Sequence, residues 1–261
     1  MLKEFSLEGR RALCIGAGRG IGKGVALVLA EAGADVAIAS ASMVNAQQVA
    51  DSVTALSRGS AAFSVDATSD ASMITLGADV MARFGEIDIL VNCVGDSIRR
   101  PVVRLPDGPE GEMPFSDWQH VIDLNLTHAY LGARAFGPAL LAQRGGTMIN
   151  ISSYVTSRGR LASAAYNAGK AALNQLTRDL AVEWAPYGVR VNAIGPGIFP
   201  DPDQRTPEQL ERDRQELAAR VPLGREGYLR DVGLLTVYLA SEASSYVTGQ
   251  IYVIDGGLGL I

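Results

Sequence analysis

Along nearly the whole chain, short apolar runs alternate with longer stretches whose apolar positions recur at helical spacing. Arg11–Ile15, Asp35–Ala39, Ala61–Val65, Ile87–Asn92, Gly146–Ile151, Arg190–Ile194 and Ile251–Ile254 read as strands. Helical patterns fill the spaces between them, over Gly22–Ala32 and Ala46–Leu56 and near 70–84, 116–143, 163–185, 207–219 and 230–241. Parallel strands need crossover connections, so this alternation predicts an α/β fold: one doubly wound parallel sheet with helices on both faces. Neither a longer repeat nor a low-complexity linker divides residues 1–261, so a single domain is expected. Two segments break the rhythm. Ile98–Pro114 is rich in Pro, Gly, Arg and Glu, and Phe199–Thr206 holds two prolines and two aspartates. Ligands bind at the carboxyl ends of parallel strands, which makes both segments candidate substrate walls; the plainer reading is a surface excursion.

Composition narrows the function. With 261 residues, 48% hydrophobic and 20% charged, the chain can bury a large single core. A formal charge of −5 disfavours nucleic acid and anionic membrane as partners. The longest apolar stretch, Val25 to Val44, is interrupted by Glu31 and Asp35, and the first residues lack the apolar core of a signal peptide. A cytoplasmic protein without a membrane span is therefore expected. Cys14 and Cys93 sit in apolar runs without metal-ligand spacing and read as inert thiols. His120 and His128 have no ligand companions, so no metal site is expected; for His128 a packing or interface role is favoured.

The segment Ile15-Gly16-Ala17-Gly18-Arg19-Gly20-Ile21-Gly22 joins the first strand to the first helix. Glycines there let the backbone turn sharply and approach a pyrophosphate, whose charge the helix amino terminus stabilises. The register is GxxxGxG rather than GxGxxG, and any tight strand-to-helix turn can use glycine. Further along stand Asn92-Cys93-Val94-Gly95, Tyr166-Asn167-Ala168-Gly169-Lys170, Asn192-Ala193-Ile194-Gly195-Pro196-Gly197, and Tyr246-Val247-Thr248-Gly249-Gln250 leading to Asp255-Gly256-Gly257. In this order they resemble the TGxxxGIG, NNAG, YxxxK, proline-glycine and carboxyl-terminal motifs of the short-chain dehydrogenase/reductase family, from about residue 6 to 258. The resemblance implies a Rossmann-like fold and hydride transfer between a nicotinamide cofactor and a carbonyl or alcohol carbon.

It also implies a cofactor-binding set: Gly16, Arg19, Gly20, Ile21, Gly22, Ser40, Ser42, Asp66, Ala67, Asn92, Gly95, Tyr166, Lys170, Pro196, Gly197 and Ile198. A ribose-binding acid would read as NAD(H). Asp35 begins the second strand, whereas the adenosine ribose lies at the far end, which reads Ala39-Ser40-Ala41-Ser42 without a carboxylate. Ser40 and Ser42 can donate to a 2′-phosphate, and Arg19 stands where the family often places a basic residue. NADP(H) is favoured and NAD(H) is the alternative; a surface ion pair is the competing role for Arg19. Asp66 matches the family's adenine contact, with helix capping through Thr68 or Ser69 as the competing role of that corner.

Tyr166 and Lys170 are four residues apart and share one helix face. A nearby ammonium favours the phenolate and brings tyrosine toward the working range of a proton-transfer group. The resemblance gives Tyr166 the proton transfer, Ser153 the grip on the reacting oxygen, Lys170 the cofactor ribose and the tuning of Tyr166, and Asn125 the anchoring of a water relay to the lysine. Spacing selects Ser153 over Ser152, which strand alternation points the other way.

Three departures stand out. Ile15 replaces the motif threonine and Cys93 the second asparagine of NNAG, so an apolar contact between them is expected. Asp201 stands where the family usually has threonine; because an acid beside a pyrophosphate is unfavourable, the 198–206 loop is expected to run differently. Ile98–Pro114 exceeds the usual loop and offers Arg99, Arg100 or Arg104 to an anionic substrate.

The substrate expected is a small keto or hydroxy compound, on the pattern of 3-oxoacyl reductases or of polyol and sugar-acid dehydrogenases. The competing reading is a non-catalytic cofactor-binding subunit of a mixed assembly. Self-association as a dimer or tetramer is expected from the resemblance, through the helices holding Asn125 and Tyr166 and the last strand.

Overall fold

The computed structural model describes residues 2–109 and 111–261. Seven parallel strands form one sheet: β1 Arg11–Ile15, β2 Asp35–Ser40, β3 Ser60–Ser64, β4 Ile89–Asn92, β5 Thr147–Ile151, β6 Arg190–Pro196 and β7 Ile251–Ile254. Their spatial order is β3-β2-β1-β4-β5-β6-β7, so the winding reverses between β1 and β4 and opens a crevice at their carboxyl ends. The helices are α1 Gly20–Glu31, α2 Met43–Ala55, α3 Asp70–Phe84, α4 Phe115–Ile122, α5 His128–Gln143, α6 Ala164–Trp184, α7 Pro207–Ala218 and α8 Leu229–Ala240.

Strand alternation divides the core in two. Along β1, Ala12 and Cys14 face one side, where Val25 and Leu29 of α1, Val49 and Val53 of α2 and Val232 and Val237 of α8 pack. Leu13 and Ile15 face the other, against Met73 and Val80 of α3, Phe136 and Leu140 of α5 and Trp184 of α6. The inner strands β1, β2, β4, β5 and β6 bury both faces, which is why these segments read as near-continuous apolar runs. The expected doubly wound single sheet is thus the observed one. Among the described residues, no helix is long and apolar enough to cross a membrane.

The helix expected over 116–143 differs in one respect. Asp123–Thr127 forms a π-helical turn between α4 and α5. Such a turn accommodates an extra residue that a 3.6-residue period does not reveal, and it often marks a working part of a helix. Here it carries Asn125.

A polar seam crosses the buried sheet below the crevice. Asn92 and Asn150 are register partners on β4 and β5. Asn92 Nδ2 donates to Asn150 Oδ1 at 2.9 Å, and Asn150 Nδ2 donates to Thr177 Oγ1 of α6 at 3.0 Å. Thr177 in turn donates to the Leu173 carbonyl at 2.8 Å. Asn150 lies between the other two, so its replacement leaves buried donors and acceptors without partners. Asn150→Ala is expected to destabilise the protein by about 1–3 kcal/mol. The check is a urea unfolding curve whose midpoint falls while its slope is kept; an unchanged midpoint would contradict the role given to the seam.

Candidate active site

The β1–α1 turn is built by close approach. Gly16 has φ +84°, and a Cβ there would stand 2.8 Å from the Val94 backbone nitrogen; one on Gly22 would stand 2.4 Å from the Gly16 carbonyl oxygen. Only glycine fits both, and the turn stays low enough for a ligand to lie across the amino end of α1. The cleft above it has a volume of about 1170 Å³. Its walls include Gly16, Arg19, Gly20, Ile21, Gly22, Ser40, Ser42, Asp66, Ala67 and Gly95. Asn45, Thr68, Asp96, Leu124, Phe199, Gln204 and Arg205 also line it, and the sequence reading did not name them as cofactor contacts.

At the tip of β2 the cleft is lined by Ser40, Ala41 and Ser42, without an acid. Asp35 is at the other end of that strand, where its Oδ1 accepts from Gly59 N at 2.6 Å. Ser42 caps α2, accepting from Asn45 N at 3.3 Å, and Ser40 accepts from Ser42 N at 3.4 Å. The capping role weighed for the Asp66 corner belongs to Ser69, which accepts from Ser72 N. Asp66 instead accepts from the Thr68 backbone and hydroxyl, and these bonds hold its carboxyl below the usual range.

Asp201 corrects an expectation. Its loop does not carry the acid away: Oδ2 lies 3.6 Å from where a Cβ on Gly20 would stand, at the amino end of α1. The same loop pairs Asp203 with Lys23 and accepts from Arg19 through Gln204 Oε1 at 3.3 Å. The physical reason is the helix terminus itself, which attracts an anion and here takes a side-chain carboxylate. The residues therefore fit a dinucleotide: crowded glycines below, an anion-seeking helix end, and a long polar cleft. Arg19 makes this hydrogen bond rather than the surface ion pair weighed above.

Four of the expected cofactor residues stand away from the cleft lining. Asn92 is fully buried, and its side chain serves the seam to Asn150 rather than the cleft wall. Pro196, Gly197 and Ile198 stand outside the cleft lining; Gly197 N donates to the Ile254 carbonyl at 2.9 Å, and Ile198 lines a separate apolar pocket beside Phe199 and Leu234. The expected contact between Ile15 and Cys93 is also revised. Ile15 packs on the α3–α5 side, whereas Cys93 packs on the side of Cys14, and the two are joined by a backbone bond of 2.8 Å.

Ser153, Tyr166 and Lys170 converge at the carboxyl ends of β4 and β5. Lys170 is 2% exposed, and its Nζ donates to the Ile151 carbonyl at 2.8 Å and the Val94 carbonyl at 3.2 Å. Burial lowers its amine to about 7. Burial also pushes the Tyr166 phenol up, against the Ser153 hydroxyl and the Arg160 guanidinium, which favour the phenolate. Ser152 turns away, donating to the Lys170 carbonyl at 3.4 Å. Asn125 Nδ2 donates to the Asp96 carbonyl at 2.7 Å and the Val121 carbonyl at 2.8 Å. A Cβ on Gly95 would meet Lys170 Nζ at 2.8 Å and Asn125 Oδ1 at 3.0 Å, so these two flank one point, while the Ser153 hydroxyl faces the Tyr166 phenol.

In the long loop, Arg100 pairs with Asp117 at 3.3 Å, while Arg99 and Arg104 are exposed. Arg160 was not foreseen; an arginine in an irregular turn carries no signal of its direction.

Residues 16–259 match the family model described as enoyl-(acyl carrier protein) reductase. The chain is 40% identical over 261 residues to a 2-dehydro-3-deoxy-D-gluconate 5-dehydrogenase of Pseudoalteromonas atlantica, with 98% of each chain covered. It is 33% identical over 252 residues to a 3-oxoacyl-[acyl-carrier-protein] reductase of Thermotoga maritima, covering 97% of this chain and 98% of the relative. Among solved structures, a gluconate 5-dehydrogenase of Burkholderia cenocepacia in complex with NADP and tartrate superposes with a TM-score of 0.88 at 33% identity, covering 100% and 99% of the two chains. A 7α-hydroxysteroid dehydrogenase complexed with NADH matches with a TM-score of 0.87 at 29% identity, covering 98% and 96%. The chain belongs to the short-chain dehydrogenase/reductase family and is a nicotinamide-dependent oxidoreductase that interconverts a carbonyl and an alcohol.

Proposed function

We propose that the protein is an NADP(H)-preferring dehydrogenase acting on a small hydroxy or keto carboxylate of the sugar-acid class. The observation that carries the substrate class is Arg160, an exposed guanidinium near enough to Tyr166 to favour its phenolate and without an ion-pair partner among the described residues. A cation beside the proton-transfer group suits a substrate whose carboxylate lies a short carbon chain from the reacting carbon. The sugar-acid names of the similar proteins support this reading. Arg19 and the acid-free tip of β2 support the cofactor preference.

The cofactor, when bound, supplies the hydride acceptor or donor. Tyr166 transfers the proton at the substrate oxygen, and Ser153 donates a hydrogen bond that orients that oxygen. Lys170, held by two carbonyls, presents its amine to the cofactor ribose and to Tyr166. Asn125 ties the π-helical turn to the loop after β4 and so fixes the wall against which the lysine lies. The convergence of these groups argues against a non-catalytic subunit. The reading includes the cytoplasm as location and assembly with copies of the same chain as a dimer or tetramer. Tyr130 on α5, Val182 on α6 and the terminal Leu260 and Ile261 are exposed apolar groups that support assembly.

Three measurements test this. Tyr166→Phe is expected to lower kcat by about 10²- to 10⁴-fold while cofactor binding, followed by fluorescence, is retained; near-normal turnover would remove Tyr166 from the chemistry. Arg19→Ala is expected to weaken NADPH about 10-fold or more and leave NADH unchanged. Equal weakening of the two would point to a general role in the glycine loop. Arg160→Ala is expected to raise KM for a keto acid about 10-fold but not for the matching neutral ketone. The same loss on both would end the carboxylate assignment.

A further inference from the structure

His128 opens α5 and is fully buried. The Leu124 backbone, one turn before, lies within reach of the ring, and no side chain among the described residues bonds either ring nitrogen. Asn125 lies one turn before it and Gly132 one turn after, so the three share a helix face. That face meets the end of β4: a Cβ on Gly132 would stand 2.7 Å from Asn92 Oδ1, while Asn125 Oδ1 and Lys170 Nζ both adjoin Gly95. Asn92 Oδ1 and Asn125 Oδ1 are themselves buried without partners. Both amide oxygens and an imidazole nitrogen thus stay unsatisfied in one neighbourhood bordering Lys170.

Buried polar atoms in native proteins are satisfied by ordered water when the chain does not satisfy them. Two of the three Lys170 donors go to Val94 and Ile151 carbonyls. The acceptors in this neighbourhood suit the third. A neutral imidazole accepts at one nitrogen and donates at the other, so it can close a water-bridged circuit with the two amide oxygens.

We propose that His128 is a positioning residue for Lys170: through water held among His128, Asn92 and Asn125, it accepts from the lysine and keeps the amine charged where the sheet end buries it. This extends the lysine–asparagine pair by a histidine from the far side and rests on the roles given above to Tyr166 and Lys170. The titratable groups around this neighbourhood are Lys170 and Tyr166 from α6 and Cys93 and Asp96 from the segment after β4. Burial pushes the Cys93 thiol up to about 12, so it brings no counter-charge to the lysine. Asp96 opposes the Tyr166 phenolate. Burial and the adjacent lysine hold the His128 imidazole well below its ordinary range, so the ring is neutral while it accepts.

The chain has two histidines, so ¹⁵N NMR of the full-length protein resolves His128 from the exposed His120. The expected result is a His128 signal that does not titrate near neutrality and whose accepting nitrogen shifts on Lys170→Met. An unmoved signal overturns the proposal, and this readout does not depend on turnover. In the alcohol-oxidation direction, His128→Leu is expected to lower kcat with little change in KM. Its acid limb should move up by about one pH unit, as Tyr166 loses its charged neighbour. His128→Gln, which keeps an acceptor, should restore most of the profile. A folded His128→Leu enzyme with the wild-type profile also overturns the proposal; if that variant does not fold, the NMR result decides. Failure of the Tyr166 assignment would show separately, as turnover surviving Tyr166→Phe.

Discussion

The site depends on the burial of one lysine amine. Lys170 has no carboxylate partner among the described residues; backbone carbonyls at the ends of β4 and β5 hold it instead. Moving an ammonium out of water is costly, and dipoles return only part of the cost, so the amine is lowered to about 7. The two carbonyls belong to neighbouring strands only because the sheet is parallel and β4 lies between β1 and β5. A slip of one residue in either strand would turn these carbonyls away. The Asn92–Asn150–Thr177 seam, which links the same strands to the helix bearing the lysine, resists such a slip.

Tyr166 is pushed the other way by the same burial. Amine and phenol therefore both lean toward their neutral forms, and the Ser153 hydroxyl and Arg160 guanidinium favour the phenolate. With the amine at about 7, small changes in its surroundings decide its charge near neutrality. The π-helical turn adds to this control. By letting Asn125 reach both Val121 and Asp96, it fastens the loop after β4 against the lysine at the cost of one regular helical hydrogen-bond register.

The frame was legible because burial on both faces writes strands as apolar runs and helices as periodic ones. Arg11–Ile15 agrees with the reading to the residue. Tyr166 and Lys170 were legible for a similar reason, since helical spacing alone puts them on one face. For Asn92 the motif gives the residue type but not its direction, since strand pairing turns its amide toward Asn150. The π-helical turn leaves no mark in a 3.6-residue pattern. Nor does sequence tell that His128 is sealed beneath the lysine, because its burial comes from the packing of α5 on β4 rather than from its own neighbours in the chain.

Asp201 shows how a feature that is unfavourable in a pairwise view becomes reasonable in the whole field. An acid beside a phosphate site repels the phosphate, yet the positive end of α1 stabilises any anion that reaches it. With the loop seated, Asp201 lies at that end, Asp203 pairs with Lys23, and Gln204 accepts from Arg19. The cations and helix dipole that suit a dinucleotide are thus already partnered by the protein. The affinity of an anionic ligand in this cleft is then the difference between two sets of partners, not the sum of one. Ions that screen the gain also screen the loss, so this exchange makes the affinity less dependent on salt than the number of charges in the cleft implies.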